Sequence, residues 1–243
     1  MNDTHPDPSL NTAARFNTET DYLALNRQLE RLTLAETLGW SLESFGGKLI
    51  QVTSFGLSGM VILDQLAKLS PGIRIITLDT GFLFAETYAL MAEVQQRYPI
   101  RLEVCRPALP PPLQARLLQD EIWRSTPDLC CYLHKVVPLA QALAEQAAWL
   151  TGLRQDQAST RAGVPLIEWD AGHGLVKLNP LARWSREQVW QYIQVHQVPY
   201  NPLHDQGYAS IGCRHCTQPS SDPANERSGR WVGQGKVECG IHL

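Results

Sequence analysis

The chain has 243 residues, 44% hydrophobic, 19% charged and 8% aromatic, a balance that builds a buried core and excludes disordered and collagen-like classes. A net charge of -3 gives no overall basic field, so nucleic acid and anionic membranes are not expected partners and any anionic ligand must be met by local cations. No apolar run approaches the roughly 18–20 residues of a membrane span, and the polar start MNDTHPDPSLNT lacks an export pattern, so the expected location is cytoplasmic.

Residues 1–20, rich in Asp, Thr, Asn and Pro, predict a flexible N-terminal arm. Leu25, Leu29, Leu32, Ala35 and Leu38 recur at three- and four-residue steps, which predicts one or two amphipathic helices over 21–40. KLIQVTS (48–54) reads as a buried strand, and the stretch from Phe55 to Gly59 breaks it before an apolar helix ending near Ser70. IRIITLD (73–79) is a second strand, followed by a turn at Thr80-Gly81, a helix over 84–98 closed by Pro99, and a third strand, IRLEVCR (100–106). Pro107 and Pro110 to Pro112 punctuate the next stretch, and a helix is expected over 132–146, bent at Pro138. WLTGLR (149–154) is expected to join the sheet, and Ser185 with Gln188 forms a capping box for a helix running to His196.

Strands separated by helices of this length are βαβ crossovers. The expected fold class is therefore α/β: a doubly wound, mainly parallel sheet with helices on both faces, spanning 21–212. A loop-rich C-terminal segment, 213–243, follows without periodicity.

A core of this size needs no disulfide staples and a cytoplasm keeps thiols reduced, so the six cysteines require another reading. Cys130 and Cys131 are adjacent, while Cys213 and Cys216 form a CxxC. Four thiolates from two segments suit tetrahedral zinc or an iron–sulfur cluster. Paired zinc ligands are usually spaced by two to four residues, whereas adjacent cysteines reach separate irons of a cubane, which favours a [4Fe-4S] cluster and keeps zinc or a redox pair open. Lys135, one helical turn beyond Cys131, could offset the negative charge of such a cluster and reach an anionic ligand; with His134, Arg214 and His215 it could equally form a solvated face.

The loop Ser54-Phe55-Gly56-Leu57-Ser58-Gly59, between a strand and a helix N-terminus, suits a phosphate or sulfate, although it is neither a Walker A nor a GxGxxG motif and could be an ordinary βα turn. Leu78-Asp79-Thr80-Gly81 ends the next strand at the same sheet edge, where open α/β folds bind ligands. Gly152-Leu153-Arg154, Asp156, Arg161, Arg227 and Arg230 add guanidinium groups suited to oxyanions or to solubility. In the C-terminal Lys236-Val-Glu-Cys239-Gly240-Ile-His242, a cation beside a thiol raises its thiolate fraction, which makes Cys239 a candidate nucleophile. Cys105 alternates within a strand and reads as a core residue.

Taken together, the Cys130-Cys131 pair, the block Ile211-Gly-Cys213-Arg-His-Cys216-Thr and the terminal segment from Lys236 to His242 resemble the assimilatory adenylyl-sulfate reductases of the phosphoadenylyl-sulfate reductase family. The resemblance covers roughly residues 45–243 and implies a fold related to the ATP pyrophosphatases, that is, the adenine nucleotide alpha hydrolases. It implies reduction of adenosine 5'-phosphosulfate (APS) to sulfite and AMP through a Cys239 S-sulfonate, with thioredoxin or glutaredoxin as external reductant. It also implies that Cys130, Cys131, Cys213 and Cys216 hold a [4Fe-4S] cluster. Ser54, Gly56 and Ser58 would face the phosphosulfate, Leu78, Asp79 and Thr80 the adenosine, and Arg161, Arg227, Arg230 and His242 would close over the ligand.

Two departures stand out: Ser58-Gly59 replaces the more usual Ser-Ala, and the stretch after Cys216 carries no basic residue where relatives often do. The alternatives are the 3'-phosphorylated substrate, an ATP pyrophosphatase-type nucleotidyltransferase, against which the absence of an SGGxDS loop speaks, and a zinc-stabilised nucleotide-binding module. The oligomeric state, a homo-oligomer included, is open.

Overall fold

A computed structural model describes residues 19–118, 121–222 and 225–242; all but the last two residues of the expected N-terminal arm lie outside them. Those two already belong to helix α1 (Glu19–Leu29), and α2 (Leu34–Phe45) follows with a capping box between Thr33 and Glu36. The chain then alternates β1 (Leu49–Val52), α3 (Leu57–Leu69), β2 (Arg74–Leu78), α4 (Ala85–Arg97) and β3 (Arg101–Cys105), as the periodicity predicts.

Short helices α5 (Pro111–Leu117), α6 (Ile122–Ser125) and α7 (Pro127–Cys131) precede a wide π turn over Tyr132–Val136 and α8 (Val137–Leu143). The expected helix over 132–146 therefore begins earlier, at Pro127, and Cys130 and Cys131 occupy the last turn of α7. Pro138 is accommodated rather than breaking the helix. A proline ring crowds the carbonyl four residues back and offers no N–H, and the preceding turn widens so that Val137 N–H bonds Tyr132 O, five residues back.

β4 (Ala148–Leu150) joins the sheet as expected, but β5 (Ile167–Asp170) and β6 (Leu175–Leu178) escape the sequence reading. Each is four residues long, and β6 contains Lys177, buried at 6% exposure and paired at 3.0 Å with Glu168 of β5. α9 (Arg186–His196) starts at the Ser185–Gln188 capping box.

The strand order is β3-β2-β1-β4-β6-β5, parallel throughout except that β5 runs antiparallel to β6. Successive strand residues face opposite layers. Leu49 and Ile75 join α2, α3, α4 and α9 in one apolar layer, while Ile50, Ile76 and Trp149 pack with Leu139 and Leu143 of α8 in the other. Each fully buried Leu, Ile or Met contributes about 1.5–3 kcal/mol relative to exposure. The chain leaves β1 toward β2 on one side and returns to β4 on the other, so a crevice opens beyond the strand ends between β1 and β4.

Candidate active site

The largest set of site residues converges on that crevice. Thr53, Ser54 and Gly56 through Gly59 line it from β1, Leu78 and Thr80 from β2, and Thr151 through Arg154 from β4. The loop after β1 is held in an unusual shape: Phe55 has φ of 59°, and its N–H donates to Thr53 Oγ1 at 3.0 Å. Gly59 makes room for that hydroxyl, since a Cβ there would lie 2.3 Å from Thr53 Oγ1. The departure from Ser-Ala is thus matched by Thr53. Ser58 Oγ accepts from Arg154 Nη1 at 2.7 Å, so its own proton is directed elsewhere.

Arg154 is only 1% exposed, and its charge is balanced by Asp156 at 2.9 Å and Glu226 at 2.7 Å. Glu226 belongs to the C-terminal segment, which here folds back over the crevice. Lys135, Arg161, Arg227, Arg230, Cys239 and His242 all line the same pocket as Ser54, Gly56 and Ser58. Asp79 is the exception among the expected ligand residues. Its carboxylate accepts from Tyr88 Oη at 2.7 Å, Gly81 N–H at 3.0 Å and Arg106 Nε at 3.2 Å, which fixes the β2 turn outside the pocket lining.

Cys239 is half-buried, and burial raises its pKa, but Lys135, the Ile241 N–H, Arg230 and Arg227 outweigh that and bring it below the ordinary thiol value. The sequence pointed to Lys236 as the neighbouring cation. In space Lys236 instead pairs with Asp128 and lies 5.7 Å from the Trp231 ring centre. Lys135 takes its place because the π turn after α7 lines the pocket from the opposite wall. Arg230 reaches the site across Gly212, where a Cβ would lie 2.3 Å from its Nη2, and rests 4.4 Å above Trp231.

His242 is enclosed, stacked on Trp149 at 5.6 Å and 17°, and held neutral chiefly by burial and by nearby Lys177, Arg161 and Arg227. Trp149, Trp231, Glu226 and Glu238 are site residues that the sequence reading passed over. Of these, Glu238 alone carried a sequence signal, its place next to Cys239.

Beside this pocket the four paired cysteines form a second cluster. Cys130, Cys131, Cys213 and Cys216 are 5–8% exposed and line one small cavity with Phe82, Trp123, His134, Lys135 and His215. Burial and the other three thiols push Cys130 up to about 12, and burial with Cys213 pushes Cys216 up to about 11. Such thiols give up their protons only to a cationic centre that replaces them. Among the described residues, no three His, Cys, Asp or Glu close on a single ion. Cys213 Sγ also lies 3.3 Å from Thr80 Oγ1. His134 is not a free cation: it is buried between Thr80 O at 3.0 Å and Gln114 Oε1 at 2.8 Å, and burial lowers its pKa. Cys105 is half-buried at the edge of a core layer rather than fully enclosed.

Residues 48–219 match the phosphoadenosine phosphosulfate reductase domain. The chain belongs to that family. An adenosine 5'-phosphosulfate reductase of Halalkalibacterium halodurans is 43% identical over 90% of this chain and 95% of its own length. The crystal structure of a phosphoadenylyl-sulfate reductase from Candida auris, a phosphate complex, superposes with a TM-score of 0.73 at 36% identity, covering 83% of this chain and 98% of that one. An FMN adenylyltransferase of Candida glabrata, at 16% identity and TM-score 0.58 over 87% of this chain and 73% of its own, shares the fold alone. The α/β reading and the resemblance to this family are thereby borne out. Among the described residues no helix is long and apolar enough to cross a membrane.

Proposed function

We propose that the chain reduces adenosine 5'-phosphosulfate to sulfite and AMP in sulfate assimilation. The observation that carries the reading is the meeting, in one crevice at the β1/β4 switch point, of the Ser54–Ser58 loop, the cations Lys135, Arg227 and Arg230, and a cation-activated thiol, Cys239. The loop and the N-terminus of α3 would hold the phosphate and sulfate oxygens, with Leu78 and Thr80 toward the nucleoside.

The Cys239 thiolate attacks the sulfate sulfur. An S–S bond forms, the sulfur–oxygen bond to the phosphate breaks, and AMP leaves with the electron pair, so the enzyme carries an S-sulfonate. Lys135 and Arg230 oppose the repulsion between a thiolate and an anionic sulfate and stabilise the charge gathering on the leaving oxygen. A dithiol protein, thioredoxin or glutaredoxin, then attacks the Cys239 sulfur. Sulfite departs, and the partner's second thiol resolves the mixed disulfide, returning Cys239 and leaving the partner oxidised.

Cys130, Cys131, Cys213 and Cys216 fit a [4Fe-4S] cluster, because all four are buried around one small cavity and thiolates gathered there would call for a cationic centre. The cysteines that would hold it come from α7 and from the Cys213–Cys216 loop, so a bound cluster would tie the two together beside the pocket. Anaerobic purification should give about four irons and four sulfides per chain. Mass spectrometry after addition of the nucleotide should show an S-sulfonate that disappears in Cys239→Ser. An adduct on another cysteine would overturn the mechanism. Initial rates with both nucleotides test substrate choice, and a strong preference for the 3'-phosphorylated form would replace the proposed substrate with that of the Candida auris relative.

A further inference from the structure

Cys239 is preceded by a carboxylate that occupies two of the arginines expected to close over the ligand. Arg161 grips Glu238 with both edges of its fork, Nε to Oε1 at 2.9 Å and Nη2 to Oε2 at 2.8 Å. Arg227 Nη2 adds a bond to Oε2 at 3.1 Å and another to Val237 O at 2.7 Å, and Thr160 Oγ1 donates to Oε1 at 3.3 Å. The remaining side of Arg161 is held by Gln157 at 2.5 Å. Glu238, Arg161 and Arg227 are 11–12% exposed.

A bidentate, charge-assisted grip shielded from solvent is worth more than an exposed pair. The ion pair of Lys236 with Asp128, also on this part of the tail, involves a carboxylate that is 89% exposed and contributes little. The stack of His242 on Trp149 fixes the far end of the tail but carries no directional bond to its backbone. Glu238, next to the nucleophile, is tied by its side chain to two separate parts of the pocket wall, the turn at 159–161 and the loop at 227.

We infer that Glu238 is a positioning residue: its carboxylate, held by Arg161 and Arg227, seats the tail so that Cys239 meets Lys135 and Arg230. It follows that Arg161 serves the tail more than the ligand. Removing the Glu238 charge frees two guanidinium groups for an anionic nucleotide while it unseats the thiol, so affinity and rate move in opposite directions. A residue that merely stabilised the fold would lower both. The nucleotide arm of this inference rests on the reaction proposed above; the seating arm does not.

Glu238→Gln and Glu238→Asp separate the possibilities in the full chain. Without nucleotide, iodoacetamide labelling of Cys239 mapped by mass spectrometry, at a pH above the thiol's ionisation so that access sets the rate, should accelerate about tenfold in the Gln variant and less in the Asp variant. With APS, single-turnover S-sulfonate formation at saturating nucleotide should fall by about tenfold or more. Equilibrium binding of APS to Cys239→Ser/Glu238→Gln should equal or exceed that to Cys239→Ser. Wild-type labelling in Glu238→Gln, a wild-type S-sulfonation rate, or affinity lost together with rate would each overturn the inference. A wild-type chain that forms no adduct with APS sinks the proposed reaction instead, and the labelling rates then decide the seating alone.

Discussion

Gly59→Ala is the sharpest test of how the nucleotide loop is built. The added Cβ would lie 2.3 Å from Thr53 Oγ1 and 3.3 Å from Thr53 Cβ, and Thr53 is 5% exposed with its hydroxyl committed to Phe55 N–H. Either α3 shifts outward or Thr53 rotates and strands a buried donor in a loop whose Phe55 already sits at φ of 59°. Overpacking of this kind costs about 1–3 kcal/mol, which in a chain of this size lowers Tm by about 2–12 °C. Thr53→Ala alone should cost about 1 kcal/mol, the net value of the lost hydrogen bond. The double variant should then be less damaged than the sum, because the clashing atom is gone, with a coupling of about 1 kcal/mol. Thermal unfolding of the four proteins gives the cycle, and nucleotide affinity reports whether Ser54 and Ser58 have moved. A Gly59→Ala protein as stable as wild type, or effects that add without coupling, would refute the claim that Gly59 exists to admit Thr53.

Three further outcomes follow from the same geometry. Arg154→Met leaves Glu226, among the described residues, with Arg186 at 3.8 Å as its cation and should cost about 3–5 kcal/mol in urea unfolding. Burial brings His204 down to about 4, with its Nδ1 donating to Tyr208 O at 2.6 Å. The unfolded chain, with His near 6.5, therefore binds more protons between those two values, so up to about 3 kcal/mol of stability is present above pH 6.5 and lost as pH falls toward 4. His204→Gln should flatten that slope in unfolding measured across the range. Gly212→Ala should fold normally, because its clash is with the far end of the long Arg230 side chain and not with backbone, yet it should lower the rate of Cys239 alkylation at neutral pH several-fold by moving that cation away.

The parallel half of the sheet was legible because β1 and β2 are largely apolar runs and β3 alternates, each followed by Gly or Pro, and their helices carry apolar periodicity. β5 and β6 were not, because Lys177 interrupts β6 and is tolerated there only through its ion pair with Glu168 and its place over the Trp149 ring, partners fixed by the fold. That the four paired cysteines come together and that Cys239 lies beside cations was legible from spacing and company. Asp79 was over-read: its position at a strand end suggested a ligand contact, but Tyr88 and Arg106, nine and 27 residues on, claim its carboxylate. Lys236 failed for the opposite reason. Closeness in sequence to Cys239 suggested a charge effect, whereas an extended tail turns neighbouring side chains in different directions, and the π turn supplies Lys135 from elsewhere.

The net charge of -3 acquires a different meaning once the cations are sorted by partner. Arg154 and Arg161 pair with Glu226 and Glu238, both carried on the C-terminal segment, and bind the segment down, while Arg227, on the segment itself, is taken up by Glu238. Among the described residues, neither Lys135 nor Arg230 forms an ion pair with a carboxylate, and both act on Cys239. Arg230 spends its bonds on Cys216 O at 3.2 Å and Ser210 Oγ at 3.4 Å, acceptors that orient it without cancelling its charge. The site thus divides its cations into a set that closes the tail and a set whose charge is left for chemistry. That division explains how an acidic chain can hold a thiolate and an anionic ligand together in one pocket: the tail supplies the counter-charges for its own closure and leaves the others unspent.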